Sequence, residues 1–284
     1  MDTNGKLSVI TVSYNAAATI EQAILSVVGQ MYPHIEYIVI DGGSTDGTVD
    51  IIRKYEDQIA YWVSEPDQGI YDAMNKGIQR ATGDYIYFLG ADDCLLQTGT
   101  IEQIVPLLKE QVDILSAGVY LVDEELALER YMDGVFAKNR ENFNGLMIPH
   151  QGMFVRNKVL QENLFDVTYT IAADYDFFLK CYLNKDIVIM FYDFPVAYYS
   201  SGGLSGHSAV SCDEYITIMQ KYDLPEETIS FVRHRFNTPW KQRIKTMLRK
   251  IGLMGVLLKW IGARPHVCEW TACRWCKRIG HVRE

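Results

Sequence analysis

Several things are scarce in this chain of 284 residues, and each scarcity excludes a class of protein. A membrane-spanning helix needs ~20 consecutive apolar residues. The longest apolar stretch near the end, IGLMGVLLKWIG, is short and interrupted by Lys259. The opening residues, MDTNGKLSVITVSYN, contain no basic segment followed by an apolar run, so no secretory leader is expected. Cysteine numbers six, scattered along the chain, with Cys94 and Cys181 in apolar surroundings. That usage fits a reducing cytosol better than a disulfide scaffold. There is no internal repeat and no low-complexity segment. No Gly-x-Gly-x-x-Gly follows the first strand pattern, so the dinucleotide fingerprint is absent. The corresponding stretch, TVSYNAAATIEQ, also lacks Lys and Arg, which argues against a sugar nucleotidyltransferase with a basic phosphate loop.

What is present is globular. Hydrophobic residues at 48% and charged residues at 22% suffice for one sizeable domain, with or without an appendage. Charge, however, is segregated. Residues 233–284 carry thirteen Lys/Arg against two Glu, a balance of +11, and the rest of the chain carries −20. An acidic body with a basic tail predicts that the tail meets something anionic.

The first hundred residues alternate apolar β-branched runs with helical spacing. Strands are predicted over 7–13, 35–41, 59–63 and 85–89, and helices over 19–30, 48–55 and 71–80. Strand and helix in alternation imply βαβ units, an α/β class and a mostly parallel sheet flanked by helices. Further on, strands are predicted over 112–122 and 126–135 around an Asp123-Glu124-Glu125 turn, a helix over 175–184 and a strand over 187–191. Ser200-Ser201-Gly202-Gly203 marks a loop.

In an open parallel sheet, ligands bind beyond the carboxyl ends of the strands. Here those ends carry Ser13-Tyr14-Asn15, then DGGSTDGT (41–48), then SEPDQGIYDAMNKG (64–77), then Asp92-Asp93. Asp41, Asp67, Asp72, Asp92 and Asp93 thus gather at one edge. Their mutual repulsion calls for a hard divalent cation with oxygen ligands, and Asp92, with Asp93 beside it, is the expected ligand of Mg²⁺ or Mn²⁺. The same residues also have local uses. DGGSTDGT suits a strand-to-helix turn with a capping side chain, and Asp92-Asp93 suits a helix N-terminus.

TVSYN, DGGSTDGT, DQGIYDAMNKG and FLGADD, in this order and spacing, resemble glycosyltransferase family 2, the inverting enzymes of GT-A fold, over about residues 7–205. The resemblance implies that Thr11, Tyr14, Asn15 and Asp41 hold the nucleotide base and ribose. It implies further that Asp67 contacts the base, and that Asp72, Asn75 and Lys76 lie near the donor. The family's Asp-x-Asp metal motif has Gly90 in its first place here, which leaves Asp92 in the second. The family's catalytic base maps to Asp174 in IAADYDFFL, with Ala173 where Glu is usual and Asp176 one residue beyond. In IPHQGMFVRN, His150 and Gln151 are expected to line the acceptor side. Gly202 and Gly203 of SSGGLSGHS are expected as hinges of a closing loop, with His207 as a phosphate or metal contact.

The implied activity is transfer of a sugar from a nucleotide-diphosphate sugar, UDP-linked on family frequency, to a hydroxyl of a glycan or lipid-linked acceptor. The setting would be cell-surface polysaccharide synthesis. A non-catalytic nucleotide-binding or scaffold relative is the alternative, favoured by Gly90 and Ala173 and opposed by Asp92 and Asp174. The expected organisation is a catalytic domain over 1–230, with a donor half to about 95 and an acceptor half over about 96–210, then an extension over 231–284. In that extension WKQRIKTMLRKIGLMGVLLKWIG puts Ile244, Met247, Leu248, Ile251 and Met254 on one face. This predicts a basic amphipathic helix lying on the inner face of the cell membrane, and hence a cytoplasmic, peripheral protein that binds no nucleic acid. Cys273-x-x-Cys276 has metal-like spacing, but a second Cys pair is missing. The account preferred on sequence places Cys268, Cys273 and Cys276 on an amphipathic surface.

Overall fold

β1 (Leu7–Ser13) is buried along its whole length, because it lies mid-sheet with side chains entering a core on each face. Ile10 and Val12 point into one core, and Leu7 and Val9 into the other. In this computed structural model, residues 5–123, 125–133, 143–202, 208–236, 244, 247–268, 270 and 273–278 are described.

β1 pairs in parallel with β2 (Ile35–Asp41) and β4 (Tyr85–Gly90), and β2 with β3 (Tyr61–Ser64). The crossovers are α1 (Ile20–Val28), α2 (Thr48–Arg53) and α3 (Ile70–Arg80). α3 sits close on β1. A Cβ on Gly77 would come within 2.6 Å of Ile10, so only glycine permits that approach.

Beyond β4 come the short β5 (Cys94–Leu95) and α4 (Thr100–Ile104), and the sheet then continues with different pairing. β8 (Met153–Arg156) is antiparallel to β4, and β6 (Ile114–Val122) is antiparallel to β8 and to β7 (Leu128–Met132). β9 (Ile189–Ser200), much longer than the 187–191 strand expected, runs parallel to β6 and then pairs with β5. α5 (Asn157–Glu162), α6 (Ala173–Leu183), α7 (Ser208–Lys221) and α8 (Glu226–Phe236) contribute to the core on the Ile10 face.

The C-terminal segment differs from the continuous helix expected. A helical turn at 247–250 ends at Gly252, whose φ of 72° closes a left-handed cap. Leu253 N bonds Leu248 O at 2.8 Å and Gly252 N bonds Arg249 O at 3.1 Å, the two bonds of a Schellman cap. α9 (Met254–Trp260) follows and ends the same way at Gly262. β10 (Arg264–Pro265) then pairs with β7, and α10 (Arg274–Arg278) packs beyond it. Met254 is buried, while Met247, Ile251, Leu253, Val256, Trp260 and Ile261 are exposed. The exposed apolar set therefore shares Ile244, Met247 and Ile251 with the stripe read from helical periodicity, but Met254 leaves it and Leu253, Val256, Trp260 and Ile261 join it. Among the described residues, no helix is long and apolar enough to cross a membrane.

Candidate active site

Strand register brings the first group together. Ser13 pairs with Asp41, Asp41 with Ser64, and Val12 with Gly90, so four strands end on one line. Asp41 is fully buried there. It accepts hydrogen bonds from the hydroxyls of Ser13 (2.9 Å), Ser44 (2.5 Å) and Ser64 (2.7 Å). It also accepts from the backbone amides of Gly43 (3.1 Å) and Ser44 (2.9 Å). Burial raises its pKa, but these donors outweigh burial and hold it below the ordinary value. Asp41 thereby organises the turn that follows β2.

That turn interlocks with the one after β1. Asn15, at φ 49°, accepts from Thr45 N through Oδ1 at 3.0 Å, and its own amide donates to Ser44 Oγ at 2.7 Å. Tyr14 beside it is 67% exposed, an open aromatic face at the mouth of the cleft. Thr11 is set apart from this group. It is fully buried within β1, with Oγ1 meeting the Tyr37 hydroxyl at 3.1 Å, so its side chain is inside the sheet rather than at its edge.

Asp67 lies against Gly42, where a Cβ would come within 2.4 Å of Oδ2. Asp72 accepts from Gln68 N at 3.1 Å, and Lys76 bridges Glu65 (3.0 Å) and Asp72 (3.5 Å). Asn75 does other work. Its amide exchanges two 2.9 Å hydrogen bonds with the backbone of Phe165, tying α3 to the segment before α6.

The turn after β4 explains how two adjacent aspartates coexist. Asp93 is fully buried and faces inward, accepting from Ser200 N (2.9 Å) and Gln151 Nε2 (3.0 Å). Burial and the neighbouring Asp92 charge push its pKa up to about 7, so the two carboxyls need not both be charged. Asp92 is only part-buried. Gly90 has a steric reason. A Cβ there would stand 2.6 Å from Asp93 Oδ2 and 3.0 Å from Asp92 Oδ1, so an aspartate in that place would have to push the neighbouring carboxylates aside. A divalent ion fits what remains, because Mg²⁺-type ions are commonly held by one or two carboxylates together with substrate phosphates. Asp92 would supply the carboxylate, with Asp93 held inward beside it by its hydrogen bonds to Ser200 and Gln151.

A second group faces this turn. His150, in the single turn His150–Gly152 before β8, places Nδ1 3.2 Å from Asp174 Oδ2. Asp174 lies in the first turn of α6 and also accepts from the Tyr71 hydroxyl at 2.9 Å. Burial alone would lower the His150 pKa. The carboxylates of Asp174, Asp93 and Asp92 outweigh it and hold the ring above its ordinary value. His150 thus stands in the field of both acidic groups. A narrow apolar cavity lined by Met74, Phe88, Phe165 and Phe177 adjoins His150 and Asp174.

Asp174 and Asp176 are told apart by direction. Asp176 turns away into an ion pair with Lys221 at 2.7 Å. Gln151, expected on the acceptor side, is buried against Asp93 instead. Gly202 is exposed after β9, its amide donating to Ser200 Oγ at 3.2 Å, whereas Gly203 and His207 lie outside the described residues.

Two contributors were not foreseen. Tyr71 sits inside DQGIYDAMNKG and its signal was available there. Glu214, on α7, accepts from three successive backbone amides, Thr170 (2.7 Å), Ile171 (2.9 Å) and Ala172 (2.9 Å), and so sets the entry of α6. Nothing local in the sequence around Glu214 announces that contact.

Residues 8–176 match the family model described as glycosyl transferase family 2. A PGL/p-HBAD biosynthesis glycosyltransferase of Mycobacterium tuberculosis is 31% identical over 205 residues, 70% of this chain and 78% of the relative. Among solved structures, residues 1–349 of Staphylococcus aureus TarS in complex with UDP-GlcNAc align with TM-score 0.60 at 22% identity, over 81% of this chain and 71% of that one. Glucosyl-3-phosphoglycerate synthase of M. tuberculosis, in complex with Mn²⁺, UDP and phosphoglyceric acid, aligns with TM-score 0.54 at 20% identity, over 78% and 80%.

Proposed function

Since the chain belongs to glycosyltransferase family 2 and has the α/β GT-A fold, we propose that it moves a sugar from a UDP-sugar to a hydroxyl of a glycan or lipid-linked acceptor, with inversion at the anomeric carbon. The observation that carries this reading is the position of His150, which holds Asp174 on one side and stands in the field of Asp92 and Asp93 on the other. A proton acceptor and a diphosphate-side carboxylate therefore belong to one site.

Asp174 takes the acceptor hydroxyl proton as the oxygen attacks the anomeric carbon. Each carboxylate oxygen has two acceptor positions, so Asp174 Oδ2 keeps one for the incoming proton while His150 occupies the other. Tyr71 and His150 fix the carboxylate's orientation, and general-base help of this kind contributes ~10²–10⁴-fold. Tyr14 offers a face to the base, and Asn15 and Asp41 hold the turns around the ribose. Asp67 and Asp72 border the donor, and Lys76 supplies positive charge. Asp92 would hold Mn²⁺ or Mg²⁺ together with the donor diphosphate. Such an ion supplies Lewis-acid neutralisation of the leaving group. The UDP-sugar and Mn²⁺ complexes of the structural neighbours support this choice.

The donor half over about 1–95, the acceptor half over about 96–210 and the extension over 231–284 form part of the same proposal. The extension rests on the inner face of the cell membrane through Leu253, Val256 and Trp260, which is 84% exposed. Flanking Lys and Arg face anionic headgroups.

The test is thermal stability against a panel of nucleotides and nucleotide-sugars, with Mn²⁺, Mg²⁺ or EDTA, on wild type and Asp92→Ala. A ligand at ~100 Kd adds about 2.7 kcal/mol. The expected result is a UDP-selective shift that EDTA and Asp92→Ala both abolish. A shift insensitive to both removes the metal from the mechanism. Absence of any nucleotide effect, with no sugar transfer to polyprenyl or glycan acceptors, overturns the enzymatic reading.

A further inference from the structure

Four donor atoms near the C-terminus converge away from the site just described. Nε2 of His266 and the sulfurs of Cys268, Cys273 and Cys276 lie within 4.8 Å of one another. All four residues are buried, His266 completely. Cys268 and Cys276 sulfurs are 3.6 Å apart, and His266 Nε2 is 3.3 Å from Cys273 Sγ. A tetrahedral zinc site, with Zn–S of about 2.3 Å and Zn–N of about 2.0–2.1 Å, has edges of ~3.8 Å and ~3.6 Å. The cluster is therefore already near the dimensions of an ion's coordination shell. No pair among the six cysteines is bonded as a disulfide.

The surroundings match a metal shell as well. His266 Nδ1 is 2.8 Å from the buried Glu129 carboxylate, which fixes the ring so that Nε2 is the free ligand atom. A carboxylate behind a ligating histidine is the usual outer support of a zinc site. The Cys276 amide donates to Cys273 Sγ at 3.4 Å, as the Cys-x-x-Cys turn allows. The rings of Tyr198 and Trp275 stand edge-on to His266 at 4.4 and 5.1 Å and help to close off water.

We propose that His266, Cys268, Cys273 and Cys276 bind one structural Zn²⁺ in a His-Cys₃ tetrahedron. On binding, the three thiols release their protons to solvent and the neutral imidazole coordinates through Nε2, so no electron transfer is involved. With all four positions taken by protein, the site has no open place for substrate. The surface placement expected for these cysteines from sequence alone gives way to burial. The missing second Cys pair is replaced by His266-x-Cys268.

The metal has a consequence for the rest of the molecule. The segment it closes reaches three points of the catalytic body. Trp270 Nε1 donates to Leu95 O at 2.6 Å, and Arg274 N donates to Gln22 Oε1 at 3.0 Å. Arg274 Nη2 donates to the carbonyl of Asp92 at 2.7 Å. Zinc thus staples the tail across the turn that presents Asp92. Metal binding stands independently of the proposed activity, whereas its effect on donor binding rests on that reading.

The test begins with metal content of the full chain purified with reductant and washed with EDTA to clear carboxylate-held ions. About one zinc per chain is expected to survive, since thiolate sites bind tightly. Replacement by Co²⁺ should produce strong visible ligand-field bands and a sulfur-to-cobalt charge-transfer band, which a carboxylate site cannot produce. Cys276→Ser should lower the zinc content at least tenfold. His266→Cys, which keeps four donors, should retain metal with an altered cobalt spectrum, and so guards against a variant that merely fails to fold. Asp92→Ala should keep its zinc while losing any nucleotide response. Wild type that holds no zinc and gives no thiolate–cobalt band after refolding with metal overturns the proposal. So does undiminished zinc in Cys276→Ser, or its loss in Asp92→Ala.

Discussion

Nδ1 of His150 lies 3.2 Å from Oδ2 of Asp174, joining a turn before β8 to the first turn of α6. The Tyr71 hydroxyl completes the arrangement at 2.9 Å from Oδ1. Asp174→Asn keeps the shape and removes the proton acceptor, so kcat should fall by ~10²–10⁴-fold with little change in melting temperature. Tyr71→Phe removes one hydrogen bond to a charged acceptor. Steady-state kinetics should show a loss of roughly tenfold, about 1.4 kcal/mol, in kcat rather than in donor KM.

Asp176 supplies the contrast. Its partner Lys221 is 43% exposed, so Asp176→Asn should cost under about 2 kcal/mol of stability, discounted for solvent screening. Sugar transfer by Asp176→Asn should stay within about threefold of wild type at a temperature where the variant is folded. Equal losses of kcat in both asparagine variants would remove the distinction drawn between these carboxylates.

Gly90→Asp rebuilds the Asp-x-Asp pattern yet is expected to fail. The new Cβ would lie 2.6 Å from Asp93 Oδ2 and 3.0 Å from Asp92 Oδ1, adding a third carboxylate to a crowded turn. Chemical denaturation should show a loss of ~1–3 kcal/mol from overpacking, with weaker rather than stronger Mn²⁺-dependent nucleotide binding.

Glu36 carries a pH dependence remote from the site. Burial raises its pKa, but hydrogen bonds from Lys6, Ser8 and Thr82 outweigh burial and bring it to about 2 from 4.5. Its side chain is 10% exposed. A depressed carboxylate stabilises fully above the unfolded value, and the contribution is lost as pH falls from 4.5 to about 2. At ~1.4 kcal/mol per unit, discounted for solvent screening through Lys6, whose side chain is 45% exposed, this is roughly 1–2 kcal/mol at neutral pH. Glu36→Gln should therefore unfold at lower denaturant at pH 7 and show a flatter acid limb over that window.

Trp260, Leu253 and Val256 belong to the exposed apolar part of the tail. Trp260→Ala combined with Val256→Ser should reduce co-sedimentation with vesicles containing anionic lipid by about tenfold, from lost burial of apolar surface. Binding of wild type should weaken as salt rises. Salt-insensitive, variant-insensitive sedimentation would count against the membrane role.

Local pattern alone determined a good part of this protein. Apolar β-branched runs such as LSVITVS and IEYIVID became β1 and β2 over the same residues, because a strand buried on both faces draws on near-continuous apolar residues. The polar strand ends were legible for the same reason, as a parallel register must align them. The fate of each polar side chain was not legible. Asp92 and Asp93, or Asp174 and Asp176, are one or two residues apart and chemically alike, yet distant partners such as Ser200 and Lys221 decide which turns inward. In the tail, periodicity was silent about the positive-φ breaks at Gly252 and Gly262. Glu129 meets His266 across 137 residues, a contact that no window of sequence contains. Propensity and periodicity act over a few residues, while burial of charge is settled only by what the folded chain brings alongside it.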